Sequence, residues 1–116
     1  MSALPLSEPA LPDSQVLSAL AAVAEPGLPA WTFTGDALTF HVELADFSAA
    51  WALLSEVALL AERQGHHPDW RNCWSHIDIR LTTHDAGNRV SQRDIEFVRA
   101  FQLILRRHLA AGGPRG

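Results

Sequence analysis

The chain has 116 residues, 47% hydrophobic and 19% charged, with a formal net charge of −4 at pH 7; this suits one folded domain with one core and excludes a disordered chain. No clustered basic face accompanies that mild negative charge, which argues against a direct nucleic-acid partner. Cys73 is the single cysteine, so an intrachain disulfide and a cysteine-based zinc site are both excluded, and a reducing, cytoplasmic setting fits.

Residues 1–12 carry three prolines and no periodicity, and read as a flexible tail or an arm laid over a neighbour. No Lys or Arg precedes Leu17 and Ser18 breaks the apolar run there, so neither a signal peptide nor a membrane span is expected. A single domain is expected over 13–111, with a short tail at 112–116. Asp13 is placed to cap a first helix with Val16, Leu17, Leu20, Val23 and Ala24 along one stripe, ended by Pro26-Gly27 and Pro29. Trp31 and Phe33 alternate with polar or small neighbours, Gly35-Asp36 signals a tight turn, and Leu38, Phe40, Val42 and Leu44 alternate with Thr39, His41 and Glu43. This pattern predicts a β-hairpin with one buried face.

Asp46 is an N-cap candidate for a long helix to about Gln64, whose apolar face is predicted at Phe47, Ala50, Trp51, Leu54, Val57, Ala58 and Ala61. Gly65 suits the left-handed residue that ends such a helix, and Pro68 keeps it from restarting. A short strand is expected within 70–74 and a longer one over 76–83, with Ile77, Ile79 and Leu81 on one face and His76, Asp78, Arg80, Thr82 and His84 on the other. After a turn at 85–88, Ser91-Gln92-Arg93-Asp94 is a capping signature for a last helix. Ile95, Val98, Phe101 or Gln102, Leu105 and Leu109 mark its buried stripe, and Gly112-Gly113-Pro114 its end. The order is α-β-β-α-β-β-α: an α+β domain with antiparallel strands and three helices on one sheet face.

Six histidines in so short a chain invite a chemical reading. An unperturbed imidazole, with a pKa of about 6.5, both gives and takes protons near neutrality. His66 and His67 sit at the predicted helix exit, and His84 at the end of a strand. If the sheet brings these segments together, one ring can protonate a leaving oxygen while another removes a proton. Two further readings stand beside this one. Paired histidines at a helix end often only meet its last carbonyls. Histidine nitrogens of His66, His67, His76 and His84, with Asp69 or Asp85, could hold zinc, although no usual zinc spacing is present. His41 and His108 read as surface residues, Trp31 and Trp51 as core, Trp74 as packed, and Trp70 as either packed or stacked on a flat ligand.

Glu62, three residues, His66-His67-Pro68, then Trp74, His84 and Asp94 at nearly regular spacings resemble the signature of the pterin-4a-carbinolamine dehydratases. The Asp46-Phe47 helix start and the Leu81-Thr82-Thr83-His84-Asp85-Ala86-Gly87 run also look like that family, and the resemblance covers about Leu28 to Leu109. It implies a four-stranded antiparallel sheet with three helices packed on one face. It also implies dehydration of a 4a-hydroxytetrahydropterin such as 4a-hydroxytetrahydrobiopterin to the quinonoid dihydropterin, with no metal and no separate cofactor, which recycles the pterin of aromatic amino-acid hydroxylases. His66 and His84 would do the acid–base work and His67 would hold the ring. Glu62 and Asp94 would orient or polarise the site, with Arg93 nearby, and the backbone of Thr82, Thr83 and Asp85 would meet the pterin edge, with Trp70 as a candidate stacking surface. A homodimer or homotetramer is implied. The resemblance leaves room for a non-catalytic pterin-binding or protein-interaction module, or for service to molybdopterin metabolism. Gly65 stands where some members carry an acidic residue, the turn after His84 is one residue longer than in many, and Trp74 replaces a common Tyr.

Overall fold

The computed structural model describes residues 9–112, and side chains to residue 109. Its elements are α1 (Asp13–Val23), β1 (Thr32–Thr34), β2 (Ala37–Glu43), α2 (Phe47–Gln64), β3 (Asp69–Cys73), β4 (His76–Leu81), a 3-10 turn (His84–Ala86) and α3 (Gln92–Gly112). All neighbouring strands pair antiparallel in the order β1-β2-β4-β3. The two hairpins therefore join through β2 and β4, with Phe40 opposite Ile79 and Val42 opposite Ile77. Phe40, Val42, Ile77, Ile79 and Leu81 are buried beneath the helices. His41, Asp78 and Arg80 stand on the opposite, exposed sheet face. The fold expected from the sequence is the fold observed.

Local signals explain most boundaries. The Asp46 carboxylate accepts a hydrogen bond from the Ala49 amide at 2.8 Å, capping α2. Gly65 ends α2 with φ 61° and ψ 34°, a conformation that costs glycine little because it has no Cβ. The His66 amide then donates back to the Ala61 carbonyl at 3.1 Å, closing the helix end and aiming the chain toward β3. Asp13 begins α1 rather than capping it: Pro12 holds the cap position and makes no side-chain bond to the helix. Ala10 bridges Ser91, and the Leu11 amide donates to the Val90 carbonyl at 2.8 Å, so residues 10 and 11 are tied to the segment leading into α3. Residues 1–8 and 113–116 of the expected tails lie outside the described residues, as does the end of α3 foreseen at Gly113-Pro114.

Several side-chain placements differ from the sequence reading. The buried face of α2 is Ala50, Leu53, Leu54, Val57, Leu60 and Ala61. Phe47 and Trp51 are instead exposed, stacked on each other at 6.2 Å, and Ala58 is exposed as well. An apolar helix offers two overlapping stripes, and docking on the sheet selects the one through Leu53 and Leu60. Leu17 of α1 and Ala24, which caps its end, also face solvent. In α3 the buried set gains Phe97 and Ile104. Trp74 is 65% exposed, at the two-residue turn between β3 and β4 with φ 54°, because that turn projects its side chain away from the sheet. Trp31 is core, edge-on to Phe101 at 5.3 Å. Replacing Asp46 by Ala removes the α2 cap and is expected to lower stability by about 1 kcal/mol, read as a shift of the urea midpoint with an unchanged slope.

Candidate functional site

The site forms where three chain ends meet: the exit of α2, the end of β4 and the start of α3. A pocket of about 270 Å³ there is lined by Gly65, His66, His67, Thr82, Thr83, His84, Asp85 and Arg93. The three predicted histidines thus share one pocket, although 17 positions of sequence separate His67 from His84. The β3–β4 hairpin spans that gap and returns the chain alongside the end of α2.

Asp94 organises the interior of this junction. Its carboxylate is fully buried, and Oδ1 lies 2.6 Å from Nε2 of His66, itself 7% exposed. Oδ2 accepts from the Thr83 hydroxyl at 2.7 Å and the Ser91 amide at 2.9 Å. The second bond is the capping box foreseen from the sequence, so one side chain both starts α3 and seats a histidine. Thr83 and Ser91 hydroxyls are 2.6 Å apart. A buried carboxylate is costly unless its lone pairs are satisfied, and here both oxygens are engaged.

Arg93 makes a second connection across the junction. Its Nη2 donates to the carbonyls of Gly65 at 2.7 Å and Gln64 at 3.3 Å. A guanidinium at the C-terminal end of α2 complements both the unpaired carbonyls and the helix dipole. A Cβ at position 65 would meet the same Nη2 at 4.0 Å, an ordinary contact, so it is the positive φ rather than space that favours glycine there.

The other two histidines are held more loosely. His67 Nε2 is 3.1 Å from Oε1 of Glu62, in a pair whose side chains are 64% and 80% exposed. His84 Nδ1 is 3.3 Å from Oδ1 of Asn88, a residue with φ 60° in the turn that follows. The pocket therefore offers one buried imidazole on a short hydrogen bond and two solvent-facing ones on longer contacts.

Not every expected residue takes its expected place. Thr83 lines the pocket with its side chain buried and its backbone engaged: its amide donates to the Arg89 carbonyl, and its carbonyl accepts from the Ala86 and Asn88 amides. Trp70 does not line the histidine pocket. Its pairing with Ile79 draws it along the sheet edge, where it borders a separate depression of about 570 Å³ with Thr39, His41, Arg71, Asp78 and Arg80. That depression is larger, but the acid–base groups converge in the smaller pocket. His76 is 3.7 Å from Glu43 on the exposed sheet face, and His41 is 2.8 Å from Asp78 on the same face. His108 meets Glu56 at 2.7 Å between α3 and α2, and the Arg107 hydrogen bond to Glu56 holds that carboxyl below its usual range. Among the described residues no three or more His, Cys, Asp and Glu side chains converge as a metal site. The sequence signals missed were Ser91 and Asn88, read as a cap and a turn, whose side chains also serve the histidines.

Comparison with known proteins gives a consistent family. The family profile described as Pterin 4 alpha carbinolamine dehydratase matches residues 9–104. A protein of Rhizorhabdus wittichii, provisionally named pterin-4-alpha-carbinolamine dehydratase, is 44% identical over 79 residues, 66% of this chain and 80% of that protein. One of Novosphingobium aromaticivorans with the same provisional name is 41% identical over 80 residues, 67% of this chain and 82% of the relative. A crystal structure from Brucella melitensis, described as a transcriptional coactivator/pterin dehydratase, superposes with a TM-score of 0.72 at 33% identity, over 83% of this chain and 98% of that one.

The contrast between buried and exposed partners is directly measurable. Asp94→Ala strands a buried imidazole, a hydroxyl and a helix-capping amide, and is expected to cost about 3 kcal/mol or more in stability. Glu62→Ala, at a solvent-exposed pair, is expected to leave the denaturation midpoint within experimental error.

Proposed function

The chain belongs to the pterin 4 alpha carbinolamine dehydratase family, and we propose that it dehydrates a 4a-hydroxytetrahydropterin, such as 4a-hydroxytetrahydrobiopterin, to the quinonoid dihydropterin. The observation that carries this reading is the convergence of His66, His67 and His84 on one pocket, with His66 seated on a buried carboxylate. The reaction breaks the C4a–O bond and removes the N5 proton, creating a C4a=N5 double bond and water. It requires an acid for the departing hydroxide and a base for the proton, which two imidazoles supply near neutral pH.

His66 is the base in this scheme. The Asp94 carboxylate orients the ring and stabilises the imidazolium that forms when it takes the N5 proton. His84, exposed to water, is the acid at the C4a hydroxyl and regains its proton from solvent. His67, paired with Glu62, holds the ring from the opposite side. Thr82 and Asp85 meet the pterin edge, and Arg93 keeps the histidine pair in place through the end of α2. The scheme uses no metal and no separate cofactor. Its substrate is the 4a-hydroxypterin that an aromatic amino-acid hydroxylase leaves, so the step recycles that pterin, and the single cysteine fits a cytoplasmic setting for the role.

A homo-oligomer belongs to the same proposal, as a homodimer or homotetramer. Support comes from β1 and β3 at the sheet edges and from the exposed Phe47–Trp51 stack with Leu59 on α2, since unpaired edges and apolar patches are common contact surfaces. The same patch favours a second reading as a protein-interaction module, in line with the coactivator description of the Brucella relative. Among the described residues no helix is long and apolar enough to cross a membrane.

His66→Ala and His84→Ala are each expected to lower kcat for carbinolamine dehydration by about 100-fold or more while the circular dichroism spectrum stays native. His67→Ala is expected to raise KM more than it lowers kcat. Wild-type rates in both His66→Ala and His84→Ala would contradict the assignment.

A further inference from the structure

Four groups behind His66 form a chain whose hydrogen-bond directions can be assigned by counting protons. The Thr83 hydroxyl has one proton, and its Oγ1 donates to Oδ2 of Asp94 at 2.7 Å. The Ser91 hydroxyl, 2.6 Å from Thr83 Oγ1, must then be the donor in that contact. Ser91 Oγ in turn accepts from the Arg93 amide at 3.2 Å. The direction is therefore uniform: Arg93 N–H to Ser91, Ser91 O–H to Thr83, Thr83 O–H to Asp94. Thr83, Ser91 and Asp94 are all 1% exposed or less, so bulk water does not compete for these bonds.

We propose that Ser91 and Thr83 are positioning residues of the dehydration site: their hydroxyl relay holds Asp94 as an acceptor, which keeps the His66 proton on Nε2 and leaves Nδ1 as the reacting nitrogen. Oδ2 receives two donors, from Thr83 and from the Ser91 amide, so Oδ1 is the oxygen left for Nε2 of His66 at 2.6 Å. The hydrogen bond to Asp94 engages Nε2 of His66, which leaves Nδ1 for a ligand, and the residue lines the pocket. Uniformly directed hydrogen bonds polarise one another in a low-dielectric interior. A ring nitrogen fixed as donor on one side makes the other a lone pair, and the tautomer is set by that partner. The relay also ties the start of α3 to the strand end carrying His84, so the same two hydroxyls register both acid–base histidines. This rests on the dehydratase reading for its kinetic consequence but not for its tautomer.

The test has a spectroscopic and a kinetic arm. Long-range ¹H–¹⁵N correlation spectra of the full chain are expected to show neutral His66 as the Nε2–H tautomer. Thr83→Val and Ser91→Ala are expected to shift its tautomer balance and midpoint and to lower kcat by about tenfold with KM nearly unchanged. Thr83→Ser keeps the hydroxyl and is expected to restore both readouts, which a loss of packing alone would not do. Should Thr83→Val fail to fold, Ser91→Ala and Thr83→Ser carry the same comparison. A wild-type Nδ1–H tautomer, or a His66 titration and kcat unchanged in Ser91→Ala and Thr83→Val, overturns the relay. A wild type without dehydratase activity whose His66 is Nε2–H and responds to these variants supports the relay while removing the dehydratase reading.

Discussion

A single carboxylate that cannot be left unsatisfied governs this structure. Asp94 is fully buried, where an unpaired charge would cost several kcal/mol. It is satisfied only if three separate segments arrive together: His66 from the end of α2, Thr83 from beyond β4, and Ser91 at the start of α3. Each of these segments is ended by its own local signal, Gly65 for α2 and the capping box for α3. The need to satisfy Asp94 couples those local signals into one junction. Arg93 reinforces it by covering the last carbonyls of α2. The fold and the site therefore depend on the same few atoms, and the pocket is a consequence of closing the core at this corner.

The junction also divides labour among the histidines. His66 is immobilised between a carboxylate and the edge of Phe97, whose ring centroid is 6.2 Å away. His67 and His84 lean on longer contacts with exposed neighbours. A fixed group suits directional proton abstraction, because a small misplacement is expensive in rate. Exposed groups suit exchange with solvent and adjustment to a bound ring. Arg93 lines the pocket and also binds the backbone carbonyls at the end of α2, which makes the Gly65 position part of the frame.

Much of the architecture was readable from alternation and capping. Val42 against Glu43 and Ile77 against Asp78 announce strands with one wet face, and Ser91 with Asp94 announces a helix start. The second role of Asp94 could not be read from spacing, because it depends on how β4 docks beside α2, 28 positions away in sequence from His66; only the family resemblance pointed to it. The sequence places Phe47 and Trp51 on the α2 stripe because apolar residues occur on more than one face of this helix, which leaves its phase weakly defined. The sequence leaves Trp70 open between packing and stacking on a flat ligand, and strand register with Ile79 carries it to the sheet edge, away from the histidine pocket. Thr83 looked available to a ligand because nothing local shows that both its side chain and its backbone are spent within the protein.

In the proposed reaction the histidine pocket dehydrates a 4a-hydroxytetrahydropterin with its own side chains. Stopped-flow absorbance of enzymatically generated carbinolamine, mixed with the purified wild-type chain with and without a chelator, tests it most directly. The expected result is decay faster than the spontaneous reaction, in proportion to protein concentration and unaffected by chelator. Decay at the spontaneous rate, or an acceleration lost with chelator and restored by zinc, would contradict it.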